Sequence, residues 1–196
     1  RSLEILRQPL EDKVIRISRV YGTYDFPADF MLCAAMNPCP CGHYPDMNRC
    51  RCTPAQVMQY LGRISQPLLD RLDLCAEVSP VDFEGLSSGR KGESTQTIRE
   101  RVICAQDIQR ERYKIEGIQF NGELSGAQIE KYCKMEKDAR QLLKMAFQNM
   151  SFSARAYHRI LKVARTIADM EATESIHRHH IAEALSYRAF DKKYWN

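Results

Sequence analysis

Long apolar runs are missing from this chain of 196 residues. The longest, Phe30 to Met36, has seven residues, and a helix that crosses a bilayer needs about 20. No membrane span is expected. A basic leader followed by an apolar stretch is also absent, so no export signal is visible and a cytoplasmic setting is expected. Neither sign of charge is in large excess: 29 Lys and Arg face 25 Asp and Glu, a net of +4. That balance permits a nucleic-acid partner without demanding one. Gly and Pro number only 9 and 8, which excludes collagen-like and low-complexity chains. No initiator Met opens the sequence, and a helix-like pattern begins at once, which suggests a piece of something longer. Two nucleotide motifs are lacking as well. No G-x-x-x-x-G-K-[ST] occurs, and no apolar run ends in Asp-Glu. Those motifs cradle phosphates and hold Mg²⁺.

Cysteine, by contrast, is plentiful. Four of the eight lie within fourteen residues: Cys39, Cys41, Cys50 and Cys52. The spacing is C-x-C, eight residues, C-x-C, in CPCGHYPDMNRCRC. Without an export signal such a cluster reads as a metal site before a disulfide framework. Four thiolates complete a closed tetrahedral site, so structural Zn²⁺ is the expectation, ordering a polar loop that would otherwise lack a core. The alternative is a reduced loop without metal. His43 has a cramped spacing for a ligand and reads as a surface residue. The four scattered cysteines, Cys33, Cys75, Cys104 and Cys133, read as small buried hydrophobes.

Along the chain, Leu3, Leu6 and Leu10 are spaced as on a helix face over residues 2–12, with Pro9 weakening its end. Val14 to Arg19 alternates, and Tyr24 and Phe26 return after Gly22, so residues 13–27 read as a hairpin. Phe30 to Met36 is apolar on both faces, as in a central strand of a covered parallel sheet, and it stops at Asn37-Pro38. Thr53-Pro54-Ala55-Gln56 is a capping box opening a helix that breaks near Gly62. A short helix follows at 67–71, and 72–78 reads as another strand. Residues 82–95 form a polar linker. Beyond it all is helical, with a second capping box at Ser125-Gly-Ala-Gln128. The clearest face runs through Ala154, Tyr157, Ile160, Leu161, Ala164, Ile167 and Ala168. Leu142, Leu143 and Met145 belong to another helix, and Ile181, Ala184 and Leu185 to the last. The expected architecture is an α/β piece, a linker and a helical bundle, mostly helical overall.

Four segments, RSLEILRQPLEDKVIRISR, FMLCAAMNPCPCG, RISQPLLDRLDL and SARAYHRILKVARTIADME, together resemble the Mg-chelatase-like AAA+ ATPases of the ComM/YifB group. That group is kin to the ATPase subunit of magnesium chelatase and more distantly to MCM helicases. The resemblance implies that residues 1–81 are the C-terminal half of an AAA+ core and that 96–196 are its helical lid. It implies sensor 1 at Asn37, which would help place the water that attacks the γ-phosphate. It implies an arginine finger at Arg71, entering a neighbouring subunit's site, and sensor 2 at Arg155. The hairpin would be the pre-sensor-1 insertion, with Arg16 and Arg19 touching DNA phosphates. ATP and Mg²⁺ would be cofactors of the whole protein, and its partners would be DNA and further copies in a hexameric ring.

Each role has a plainer competitor. Asn37 could simply terminate a strand before Pro38, and Arg71 could pair locally with Asp70 or Asp73. Arg16 and Arg19 could be ordinary surface arginines. Arg159 and Lys162 read as a solvated basic face, and His177, His179 and His180 as surface residues. Since the motifs that grip phosphate are absent, this chain alone should neither hydrolyse ATP nor bind it tightly. The function implied is ATP-driven DNA remodelling, such as branch migration in recombination and natural transformation. A chelatase-type motor for metal insertion is one alternative, and a zinc-stabilised, non-enzymatic nucleic-acid-binding module is another.

Overall fold

A computed structural model describes residues 2–79, 81, 83, 87, 92–150 and 152–188. The chain divides between Leu72 and Asp73 into two compact units. No helix among the described residues is long and apolar enough to cross a membrane.

The first unit opens with a 3-10 turn, Ser2–Leu6, that runs into helix α1, Arg7–Asp12. Pro9 falls in the first turn of α1, where a missing N–H costs no intrahelical bond. Lys13 ends the helix in a left-handed conformation, φ 56°, with its amide donating to the Pro9 carbonyl. Strands β1, Val14–Arg19, and β2, Gly22–Pro27, then pair antiparallel around the tip Val20-Tyr21. The register puts Ile15 opposite Phe26 and Ile17 opposite Tyr24 on one face, and Arg16 opposite Asp25 and Ser18 opposite Thr23 on the other. The alternation seen in the sequence is therefore a real two-faced ribbon.

The two further expected strands, one of them a central parallel strand, do not form. Residues 28–37 and 72–78 carry no ladder, and the hairpin is the sheet of the described residues. Phe30, Met31 and Met36 are 44%, 93% and 44% exposed. A strand buried on both faces exists only when neighbours take its N–H and C=O groups and helices cover it. Among the described residues neither is supplied. In the second segment, the Cys75 amide donates to the Tyr187 carbonyl at 3.1 Å. The mostly helical character expected of the chain holds, while the β structure of the α/β piece is, among the described residues, a single antiparallel hairpin.

Helix α2, Pro54–Leu61, starts where the capping box predicts. Thr53 Oγ1 accepts from the Gln56 amide, and Gln56 Oε1 accepts from the Thr53 amide. Gly62 caps its end. Helix α3, Gln66–Leu69, is capped by Ser65 and buries Leu68 and Leu69. The expected linker, 82–95, lies for the most part outside the described residues; its last residues, Ser94 and Thr95, cap and begin the next helix.

In the second unit, α4 (Thr95–Tyr113), α5 (Gly126–Tyr132), α6 (Lys137–Met150), α7 (Ala154–Met170) and α8 (Arg178–Ser186) share one core. Ile160, Leu161, Ala164 and Ala168 of α7 are its centre, as the stripe predicts, with Ile129, Leu143, Ile176 and Ile181 around them. Ser125 and Gln128 form the second capping box. On α4, Ala105 is buried while Ile98 and Val102 stay exposed. Cys133 is buried as expected, but Cys33 and Cys104 are exposed, which corrects the reading of those two as core residues.

A polar cluster sits inside this core. Asp169, 1% exposed, accepts from Arg165 Nε at 3.1 Å, from both terminal nitrogens of Arg112 and from Asn121 Nδ2 at 2.8 Å. Each terminal nitrogen of Arg165 donates to a carbonyl, Nη1 to Glu174 and Nη2 to Thr173. Arg159 and Lys162, expected on a solvated face, also have tertiary partners: the Asp73 carboxylate and the Gly122 carbonyl.

Candidate functional site

The cysteine loop brings its four sulfurs together. Cys39 Sγ lies 3.4 Å from Cys41 Sγ and 3.8 Å from Cys50 Sγ, and Cys41 lies 3.6 Å from Cys50. All four ligand atoms, Cys52 included, are within 4.8 Å of one another. A tetrahedron of thiolates about 2.3 Å from a central zinc has edges of about 3.8 Å. The donor set therefore fits a closed four-sulfur metal site. His43 is exposed and stands outside the cluster, as expected.

Local backbone builds this geometry. Gly42 has φ +81°, a conformation that favours glycine, and its amide closes a turn on the Cys39 carbonyl at 3.0 Å. The loop also has a core that its polar sequence conceals: Cys39 is fully buried against Val57 and Leu61 of α2, with Tyr44 and Tyr60 beside it. The electrostatics are uneven. The amides of His43 and Arg51 hold the Cys41 thiol down to about 6. Burial opposes ionisation of Cys39, but the amides of Tyr44, which donates to its sulfur at 3.4 Å, of His43 and of Cys41 together hold its thiol below the ordinary range. Burial and the neighbouring sulfurs push Cys52 up to about 12. Two thiols are poised to ionise and their negative charge resists a third; a cation among them would reverse that resistance.

The expected nucleotide-sensing residues are placed as follows. Asn37 is exposed and has no strand beneath it; its carboxamide faces Gly42, where a Cβ would lie 3.8 Å from Nδ2. Arg71 follows α3 with its side chain only 9% exposed. It donates to the Pro67 carbonyl at 2.6 Å and pairs with Glu11 of α1, rather than with Asp70 or Asp73. Its buried Nε has no hydrogen-bond partner among the described residues. Arg155 is exposed in the first turn of α7, next to the Ser153 cap, and belongs to the second unit. On the hairpin, Arg16 is clamped by Asp25 through two bonds of 2.7 and 2.8 Å, while Arg19 stands exposed at the strand end.

The histidine reading needs correction. His180 is fully buried: its Nδ1 accepts from the His177 amide and its Nε2 meets Glu171 at 2.9 Å, the same oxygen that His179 reaches. Glu171, His179 and His180 are close enough to hold an ion. The capping bond argues for a structural role instead. An Nδ1 that accepts an N–H leaves the ring proton on Nε2, the atom a metal would need free.

Comparison with known proteins covers nearly all of this chain. A family model described as magnesium chelatase, subunit ChlI, matches residues 1–86, and one described as its C-terminal part matches residues 92–188. The uncharacterized protein YifB of Salmonella typhimurium is 45% identical over 194 residues, which are 98% of this chain and 37% of that protein. The competence protein ComM of Haemophilus influenzae is 45% identical over 188 residues, 95% of this chain and 36% of its own length. The uncharacterized protein YifB of Escherichia coli is 42% identical over 194 residues. The chain thus spans little more than a third of the length of these relatives.

Proposed function

From the premise that this chain belongs to the magnesium-chelatase-like family of ComM and YifB, we propose that it is the rear part of an AAA+ ATPase. Residues 1–81 complete the nucleotide-binding core and 96–196 form its lid, in a hexameric ring that couples ATP hydrolysis to DNA remodelling. The likeness to a competence protein favours branch migration during recombination and natural transformation.

The observation that carries this reading is Arg71. A buried N–H left open is costly, and the Nε of Arg71 is such a donor. A phosphate oxygen brought by an adjoining subunit is an acceptor that suits a guanidinium. In the ring Arg71 would stabilise charge on the phosphoryl group in transfer, Asn37 would orient water with a neutral amide, and Arg155 would reach phosphate beside a helix N-terminus. ATP with Mg²⁺ would supply the phosphoryl group once bound by the motifs that this chain lacks.

Two measurements on nucleotide and DNA test this. Calorimetry with this chain alone should show no micromolar ATP binding, and the full-length protein should turn over ATP faster with DNA present. Tight ATP binding by this chain would refute the division of labour. Both matching family models are described by magnesium chelatase, which favours metal insertion into a porphyrin as the second reading. Turnover that DNA leaves unchanged would move the assignment there.

The four cysteines are proposed to hold a structural Zn²⁺, since four thiolates leave no open position for chemistry. Protein purified without added zinc should carry about one equivalent. Cys39→Ser, which removes the fully buried ligand, should release most of it. Less than half an equivalent in the unmodified chain would count against the site.

A further inference from the structure

Between the cysteine loop and α2 lies an open cleft of about 470 Å³. Arg51, Gln59, Tyr60 and Arg63 line it, with Pro40 and Cys41 at the loop side. The lining holds two arginines and no carboxylate. The Arg63 guanidinium lies over the Tyr60 ring, 5.4 Å from its centroid.

The sequence converges on this arrangement for a local reason. Gln56, Gln59 and Tyr60 share one face of α2 at the three-and-four spacing, and Arg63 follows just past the Gly62 cap. The other face of α2, through Val57 and Leu61, is buried against Cys39. Arg51 stands between Cys50 and Cys52, so a metal that fixes both cysteines also fixes the backbone that carries it. Among the described residues neither Arg51 nor Arg63 has an ion pair, whereas Arg16 on the hairpin is clamped by Asp25.

We propose that this cleft binds single-stranded nucleic acid. An aromatic ring with a guanidinium beside it is a platform on which an unstacked base can stack. Arg51 is the phosphate contact, and the Gln59 carboxamide offers a donor and an acceptor to a base edge. A duplex keeps its bases stacked and cannot use the platform. The inference rests on the nucleic-acid reading above and moves the strand contact from the hairpin to the metal loop. Its rival is countercharge: a dication with four thiolates carries a net of −2, and arginines nearby would balance it.

The test uses the zinc-loaded chain and a fluorescein-labelled oligonucleotide, as DNA and as RNA in separate arms, beside a duplex of equal length. Anisotropy reads binding, and zinc content is measured for every variant. The single strand should bind more tightly than the duplex in at least one arm. Tyr60→Ala should weaken strand binding roughly tenfold, while Tyr60→Phe, which keeps the ring, should retain it. Arg51→Gln should weaken binding and lower the salt slope by about one, with zinc content unchanged. Absent binding, equal affinity in Tyr60→Ala, or zinc lost together with affinity in Arg51→Gln would each overturn the proposal. So would displacement of the strand by poly-glutamate at equal charge, which would give the cleft to an acidic protein segment. Binding that Arg16 and Arg19 substitutions abolish and Tyr60→Ala spares would leave the DNA reading standing and remove this one.

Discussion

Arg71→Ala in the full-length protein is expected to lower DNA-stimulated ATP turnover by about 10³-fold or more, the scale on which trans-acting arginines operate in phosphoryl transfer. ATP affinity should remain largely intact, because the proposed function leaves ground-state binding to motifs that this chain lacks. Arg71→Lys should not rescue, since a single ammonium cannot reproduce the planar, forked donor set. The contacts of Arg71 with Glu11 and the Pro67 carbonyl raise a competing account, in which Ala merely loosens the first unit. Subunit mixing separates the two. Subunits lacking Arg71 keep an intact phosphate grip, and subunits lacking the phosphate-gripping lysine keep Arg71. If the arginine acts across an interface, the mixture should recover turnover that neither parent shows. No recovery, with both parents still forming rings, would assign Arg71 to its own subunit and remove the trans reading.

The contact with Glu11 also marks where sequence reasoning ran out. Local signals read true. Thr53 with Gln56, and Ser125 with Gln128, start helices at the expected residues because capping is decided within three positions. The alternation at Val14–Arg19 became a strand because its partner lies a two-residue turn away. Cysteine spacing placed four sulfurs together for the same reason of short range. Phe30 to Met36 has an equally clear composition, yet it forms no strand, since the hydrogen bonds of a central strand come from distant chain. Likewise the i, i+4 spacing of Arg165 and Asp169 was legible on one helix, but Arg112 approaches from 57 residues away. His180 reads in sequence as one of a surface trio, yet it is fully buried, and its partners His177 and Glu171 become visible only in the fold. The cleft beside α2 needed the folded loop as its second wall.

The long-range contact at Asp169 carries the second large effect. Asp169→Ala is expected to destabilise the helical unit by about 3–5 kcal/mol, because it strands buried charge rather than removing a surface pair. For a unit of roughly 100 residues that is a fall in Tm of roughly 15–30 °C, read by circular dichroism of the helical signal. Two guanidiniums share this one carboxylate, and their side chains are 19% and 1% exposed. Burial already pushes the Arg165 pKa down, with Asp169 opposing it. Asn121 would lose an acceptor as well, although its bonds to Thr166 and Tyr113 remain. Asp73→Ala is the control: it breaks the pair with Arg159 at a carboxylate that is 62% exposed, and should cost less than about 1 kcal/mol. Adding Arg112→Leu to Asp169→Ala should recover part of the loss, since one of the two uncompensated cations is then gone. A double variant no more stable than Asp169→Ala would mean that packing around Asn121, not charge, holds α4 to α7.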